Sequence, residues 1–262
     1  MKKTFISCFL GVFFTSFAYT QNVDHFEGGH FVKRIEYNLV NKGEGRLNDS
    51  IIFGDNYNIN SKGDLEKLFF GDINAAIEFY YLPSSEAAFK RPPYGFHVTK
   101  DKSNTYSVIE IKHVSNYKEA SKEASSKYPP IGVLNPFTIS DERRDQIREH
   151  NRDAFAKQYE EMLKLFKVET LTFPVSDWFV ENLHEKTVSF INNFKAKGVP
   201  PMMLDGYSVT FRTVVDDEVW SLWIHIPQGN ALKMTDFFLQ IIKDAEQGVF
   251  DEERYISVLD ML

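Results

Sequence analysis

Six side chains with binding chemistry fall on one side of a hairpin predicted near the end of the chain. Runs 206–215 and 218–226 alternate like strands, and pairing Val215 with Glu218 closes them around Asp216 and Asp217. One face then carries an indole, a guanidinium, an imidazole and three hydroxyls: Ser208, Thr210, Arg212, Ser221, Trp223 and His225. Such a surface could hold a small polar ligand. In the alternative arrangement helices cover this face, Trp223 belongs to the core and Arg212 extends to water.

A catalytic interpretation uses the same region. His225 with Asp205 or Asp217 would supply the acid–base pair of a hydrolase if folding brings them into one cleft. The sequence contains no G-x-S-x-G elbow, no P-loop and no G-x-G-x-x-G motif. His184-Glu185 begins like a zinc-protease helix, but Val188 stands where the second histidine would be required. The sequence therefore predicts no catalytic residues, no metal site and no cofactor.

The first twenty residues have the pattern of a secretory signal peptide. Lys2 and Lys3 precede an apolar run from Phe5 to Phe14, and small residues follow at positions 16, 18 and 20. The run is shorter than the ~20 residues of a membrane span. Cleavage after Thr20 or Ala18 is predicted, which gives an exported chain with no transmembrane segment, located in the periplasm or outside the cell.

Composition narrows the class of protein. The 262 residues are 43% hydrophobic and carry a net charge of −7, which indicates a globular chain and argues against nucleic acid as a partner. Loss of residues 1–20 removes two lysines and no acid, leaving −9. Cys8, the single cysteine, leaves with them. The mature chain would contain no disulfide and no thiol nucleophile.

The elements that would position the hairpin follow from periodicity. Residues 21–64 are predicted to be irregular with one or two edge strands, and 65–262 to form a single domain. Strands are predicted at 77–81, 95–100, 105–114 and 168–174, with Lys100 opposite Thr105. Helices are predicted over 116–127, from Ser140, from Ser176, over 230–245 and over 251–262. Of the helix that begins at Ser140, only the second half is expected to pack.

This order of elements predicts an α+β fold, with a mostly antiparallel sheet and helices packed on one face. A faint internal similarity accompanies it. Residues 95–99 (GFHVT) resemble 206–210 (GYSVT), and each segment begins a hairpin that is followed by a helix. The order therefore allows two weakly similar hairpin–helix halves.

Two segments carry a resemblance to other proteins. Residues 205–212 (DGYSVTFR) continuing through 220–225 (WSLWIH), and residues 111–120 (IKHVSNYKEA), are similar to a group of exported bacterial proteins with no assigned activity. The similarity runs over much of residues 70–245. It implies export and a compact domain, and it implies no reaction.

The sequence thus favours an exported, non-catalytic binding or interaction protein of the bacterial envelope. Its partner would be another protein or a small polar ligand. Two alternatives stay open, namely the His–carboxylate hydrolase and an inhibitor or immunity-type partner of another exported protein. The acidic charge and the charged stretch 141–153 favour the latter.

Overall fold

The computed structural model describes residues 62–71, 75–100, 107–132, 140–194, 206–216 and 218–259, with the backbone of 31–37 and 46–51. The strands are β1 (Phe31–Tyr37), β2 (Arg46–Ile51), β3 (Ile77–Pro83), β4 (Tyr94–Lys100), β5 (Ser107–Val114), β6 (Val168–Val175), β7 (Tyr207–Val215) and β8 (Glu218–His225). The helices are α1 (Asp64–Phe70), α2 (Ser85–Ala88), α3 (Tyr117–Lys127), α4 (Asp141–Leu165), α5 (Asp177–Asn193), α6 (Gly229–Glu246) and α7 (Glu252–Leu259).

All eight strands form one antiparallel sheet in the order β2-β1-β8-β7-β3-β4-β5-β6. β3 therefore lies between the two hairpins β4–β5 and β7–β8. β1 and β2 come from the segment in which one or two edge strands were expected, and β2 forms the sheet edge. The predicted signal peptide lies outside the described residues. In the described part, no helix has both the length and the apolarity to cross a membrane.

The inner face of the sheet, the side that carries Phe79, Phe96 and Phe211, packs against α5, α6 and α7. Phe238 of α6 stacks on Phe79 with ring centroids 5.0 Å apart. The same ring lies 5.2 Å from Phe96 and 5.5 Å from Phe211. Apolar residues on one side of α5 complete this core: Phe179, Leu183 and Ile191.

The outer face, the opposite side of the sheet, is also covered by helices. Its apolar cluster combines α1 with two strands: Leu65, Phe69, Phe70, Tyr80 and Val114. Partly buried side chains of α3 and α4 pack against this cluster. The α+β class is confirmed, but helices cover both faces rather than one. The reason lies in β3, where the consecutive residues Phe79 and Tyr80 are both buried on opposite sides.

The late hairpin has the predicted register. Val215 pairs with Glu218, and Phe211 pairs with Leu222 in the core. Asp216 has a φ of 50°, which lies in the left-handed region that tight hairpin turns use.

The register of the earlier hairpin differs from the prediction by two residues, because Lys100 pairs with Ser107 rather than Thr105. Since side chains alternate with a period of two, this shift keeps every side chain on its predicted side. The predicted set still shares the inner face: Phe96, Val98, Ser107, Ile109 and Ile111.

The similarity of the two hairpins does not extend to the helices that follow them. Phe96 and Val209 both face the inner core, so the hairpins are alike in orientation. The helix after the first hairpin, α3, packs on the outer face, whereas α6, the helix after the second, packs on the inner face. The two segments are therefore not equivalent as hairpin–helix units.

The charged helix α4 packs less than expected. Over 141–153 only Ile147 is buried. This agrees with the prediction that the first half of the helix contributes little to packing. In the second half Leu163 is partly buried, but Phe155 and Tyr159 stay 55% and 43% exposed. Asn151 fixes α4 to the chain before it, since its side chain hydrogen-bonds both the N–H and the C=O of Ile131.

Candidate functional site

The six predicted binding residues lie on the outer face in three cross-strand pairs. Ser208 pairs with His225, Thr210 with Trp223, and Arg212 with Ser221, as the predicted register requires. Ser208, Thr210 and Arg212 are buried, however, while the three residues of β8 are half-buried. The structure brings the six together, but half of them are buried.

The half-buried residues of this face include an aromatic pair. The rings of Trp223 and His225 lie nearly parallel, with centroids 6.2 Å apart and an interplanar angle of 12°. Their spacing of two residues along β8 places both on the outer face. This pair and Ser221 are the residues of the predicted ligand-binding face that are not buried.

Arg212 lies in a buried ionic cluster and not at the surface. Its guanidinium donates from Nη1 to Glu78 Oε2 at 2.9 Å and from Nη2 to Glu66 Oε2 at 3.3 Å. Only 2% of Arg212 is exposed. The two carboxylates hold the pKa of Arg212 above its ordinary value, even though burial acts in the opposite direction. The structure therefore gives Arg212 a structural role.

Lys62 belongs to the same cluster, which contains two cations and two anions among the described residues. Its ammonium donates to Glu78 Oε1 at 2.8 Å and to the carbonyl of Gly71 at 3.2 Å. Burial lowers the pKa of Lys62 in spite of the neighbouring carboxylate of Glu78. Two cations and two anions thus join α1 to the sheet. Each buried charge has partners, as such charges require.

The cluster belongs to a polar row that crosses the outer face. Six residues occupy one rung of six successive strands from β8 to β6: Ser221, Arg212, Glu78, His97, Glu110 and Thr172. His97 Nε2 and Glu110 Oε2 are 2.9 Å apart, and Lys112 Nζ lies 3.3 Å from the same carboxylate. Basic and acidic side chains therefore alternate in the middle of the row, from Arg212 to Glu110, and α1 lies above its centre.

The titration of His97 is set by its surroundings. Its ring lies against that of Phe70, with centroids 5.1 Å apart. Burial lowers the pKa of His97, although the bond to Glu110 acts in the other direction. Burial alone would raise the pKa of Glu110, but hydrogen bonds from His97 and Lys112 outweigh it and the pKa is lowered. The pair is therefore a neutral imidazole bonded to a carboxylate at neutral pH.

The predicted hydrolase pairs cannot be placed, because Asp205 and Asp217 lie outside the described residues. Two other histidines have structural partners. His184 Nε2 is 2.8 Å from the carbonyl oxygen of Val214, and His113 Nε2 is 3.5 Å from Glu169 Oε2. Within the described residues, no group of three or more His, Cys, Asp or Glu side chains could hold a metal ion.

A cavity of about 630 Å³ lies at the end of β4, beside the beginnings of β5 and α5. Its apolar lining comes from Phe70, Ala75, Ala76, Val98 and Val180, and its polar lining from His97, Thr99, Lys100, Ser107, Asp177 and Glu181. This volume is within the range of pockets that bind small molecules. The cavity is thus separate from the six residues of the hairpin face, and only His97 belongs to both the cavity and the polar row.

Three polar side chains at this cavity are mutually bonded. Lys100 Nζ donates to Asp177 Oδ1 at 2.8 Å and to Ser107 Oγ at 3.0 Å, while Ser107 Oγ donates to Asp177 Oδ1 at 2.6 Å. The hydrogen bonds from Lys100 and Ser107 lower the pKa of Asp177. They also tie β5 to the first turn of α5.

This triad is not arranged for nucleophilic catalysis. A serine nucleophile needs a neighbour that accepts its proton. The acceptor here is Asp177, whose lowered pKa makes it a weak base. The amine of Lys100 is held in a salt bridge and donates to the hydroxyl instead of accepting from it. The group can position polar atoms of a ligand, and it fixes the wall of the cavity.

No protein-family model matches the sequence, and comparison with curated proteins and with solved structures finds no match either. The site therefore has to be interpreted from its own chemistry.

Sequence reasoning missed the cavity residues because they are distant in the chain. Lys100 and Ser107 become neighbours only in the observed register, and Asp177 lies 70 residues after Ser107. One signal was available. Ser176 follows a predicted strand and predicts the beginning of a helix, and in the structure its hydroxyl caps α5 by accepting from the N–H of Phe179. An acidic residue such as Asp177 is favoured in the first turn of a helix. Which strand end faces that turn cannot be read from spacing.

Proposed function

We propose that the mature chain is an exported, non-catalytic binding protein of the bacterial envelope, and that its ligand occupies the cavity beside Lys100, Ser107 and Asp177. The cavity itself carries this proposal. It combines an apolar wall with a few fixed polar atoms at one end, which is the usual composition of a small-molecule site. The absence of an activated nucleophile among these residues argues for binding rather than turnover.

The test is to fill the cavity. The probe is N-phenyl-1-naphthylamine, an uncharged apolar dye whose fluorescence rises on transfer from water. Val180→Trp places an indole in the cavity and is expected to weaken dye binding at least about tenfold. Val188→Trp is the matched control, because Val188 is half-buried on the same helix and does not line the cavity. Near-UV circular dichroism establishes that both variants are folded.

The hairpin face is the competing location for a ligand. Trp223→Ala removes the indole of the Trp223–His225 pair and leaves the cavity intact. Dye affinity unchanged in this variant and lost in Val180→Trp supports the cavity. The reverse pattern would move the site to the outer face of the hairpin and overturn the proposal.

Export is the second part of the proposal, and the charged, apolar and small-residue segments of residues 1–20 support it. Expression of the full chain in a bacterium, followed by fractionation and intact-mass measurement, tests it. The expected product is extracytoplasmic and begins at Tyr19 or Gln21. A full-length cytoplasmic product would contradict export.

An inhibitor or immunity-type interaction is the second candidate, favoured by the two aromatic side chains that α4 leaves exposed beside its charged half. Phe155 and Tyr159 are the residues to test. A partner recovered from envelope extract by the wild-type chain, and not by a Phe155→Ser, Tyr159→Ser variant, would favour this function over small-molecule binding.

A further inference from the structure

The mouth of the cavity has an excess of negative charge. Lys100 and Asp177 form a salt bridge and cancel each other. Glu181 also lines the cavity, is exposed, and has no hydrogen bond or ion pair with any residue that the structure describes. It lies four residues after Asp177 on α5, so both carboxylates occupy one face of that helix. The neutral imidazole of His97 adds no charge at neutral pH.

The N-terminus of α5, which could attract an anion to the cavity, is already occupied by groups of the chain itself. Helix N-termini bind anions because their first N–H groups are unpaired and positive. At α5, Ser176 Oγ accepts from the N–H of Phe179, and Glu252 of α7 accepts from both the N–H and the hydroxyl of Ser176. With Asp177 in the first turn as well, negative groups of the chain itself occupy this end of the helix.

From these observations, and resting on the proposed function of the cavity, we infer that its ligand is a small apolar cation such as a hydrophobic ammonium compound. Glu181 provides the counter-charge at the mouth. The ring of Phe70 provides an aromatic surface for which a quaternary or protonated amine has affinity. The small side chains of Ala75, Ala76 and Val180 leave room for the apolar body of the ligand.

Calorimetric titration with benzyltrimethylammonium chloride tests this inference, with sodium benzenesulfonate as the anionic counterpart of similar size. The ammonium compound is expected to bind and to displace N-phenyl-1-naphthylamine. Its affinity should fall as ionic strength rises, because Glu181 is exposed to solvent. Benzenesulfonate is expected to bind at least about fivefold more weakly.

Two matched variants test whether the carboxylate of Glu181 attracts the ammonium compound. Glu181→Gln is expected to weaken binding of the ammonium compound about fivefold, the size of an exposed charge interaction. Glu185→Gln makes the same change one turn further along α5, outside the cavity, and should change the affinity less than twofold.

The outcomes separate the two proposals. If the dye binds and Val180→Trp blocks it, but benzenesulfonate binds as well as the ammonium compound, the ligand class is wrong and the binding function stands. Equal effects of Glu181→Gln and Glu185→Gln would overturn the role of Glu181. If the dye does not bind the wild-type chain, the proposed function fails and this inference fails with it.

Discussion

Arg212 and Glu78 lie directly opposite each other on the neighbouring strands β7 and β3, with Nη1 and Oε2 2.9 Å apart and both side chains almost fully buried. They are separated by 134 residues in the chain. Within the described part of the chain, Lys62 and Glu66 extend the pair into a cluster of two cations and two anions. Removal of any one member would leave an uncompensated charge inside the protein.

Arg212→Met is expected to lower the free energy of unfolding by about 3–5 kcal/mol, because among the described residues only Lys62 would then balance Glu66 and Glu78. Urea denaturation followed by circular dichroism measures the loss. Arg148→Met is the control, since Arg148 forms an exposed pair with Asp145 and should change stability by less than about 1 kcal/mol. Equal small losses in both variants would show that water screens the cluster.

Stability should depend on the protonation of His97. Burial lowers its folded pKa below the unfolded value of 6.5, so the unfolded chain binds the proton more readily. The free energy of unfolding is therefore expected to decrease as pH falls from 7.5 to 5, through the unfolded-state pKa of 6.5 and toward the lower folded-state pKa. Urea titrations across this range should show a smaller decrease for His97→Gln, which can still donate to Glu110. An identical decrease in the variant would assign the pH dependence to other groups.

Gly95 is needed where α1 meets the sheet. A Cβ at this position would lie 2.2 Å from the carbonyl oxygen of Phe79 and 3.1 Å from the ring of Phe70. Gly95→Ala is expected to cost about 3 kcal/mol or more, because backbone atoms would have to move. Gly132→Ala, where a Cβ would meet nothing within 4 Å, should change stability by less than about 0.5 kcal/mol in the same thermal melt. Similar melting temperatures for the two variants would contradict this assignment.

Ser107 is expected to be structural and not nucleophilic. Fluorophosphonate probes, which label activated serines, should leave the wild-type protein unmodified by intact-mass measurement, because Ser107 lacks an effective base. Ser107→Ala should lower stability by about 1 kcal/mol through loss of its hydrogen bonds. Rapid labelling that disappears in this variant would instead establish a serine hydrolase.

Local pattern was sufficient to predict the hairpin of β7 and β8 down to its register. Apolar residues alternate on both strands, and the short turn at Asp216 and Asp217 selects the pairing that places Phe211 opposite Leu222. The predicted register of β4 with β5 was wrong by two residues. A shift of two residues keeps the same side chains on the inner face, so the alternating pattern cannot detect it.

The site was harder to predict, since its partners come from distant parts of the chain. Arg212 was correctly placed on the outer face, but neither α1 nor the position of β3 next to β7 could be read from the sequence. Burial of Arg212 depends on both. α4 showed the opposite problem: its apolar stripe predicted packing, yet Phe155 remains exposed because no described element covers it.

The polar row has a consequence for how the sheet assembles. Displacement of β3 by a single residue against its neighbours would turn Glu78 into the aromatic layer around Phe238 and leave Arg212 without its counter-ion. A shifted register of β3 is therefore unfavourable, because it buries charged side chains without their partners. A rung made only of apolar residues would not disfavour the shift in this way. The polar row thus helps to select one register of β3 against β4 and β7 as the chain folds.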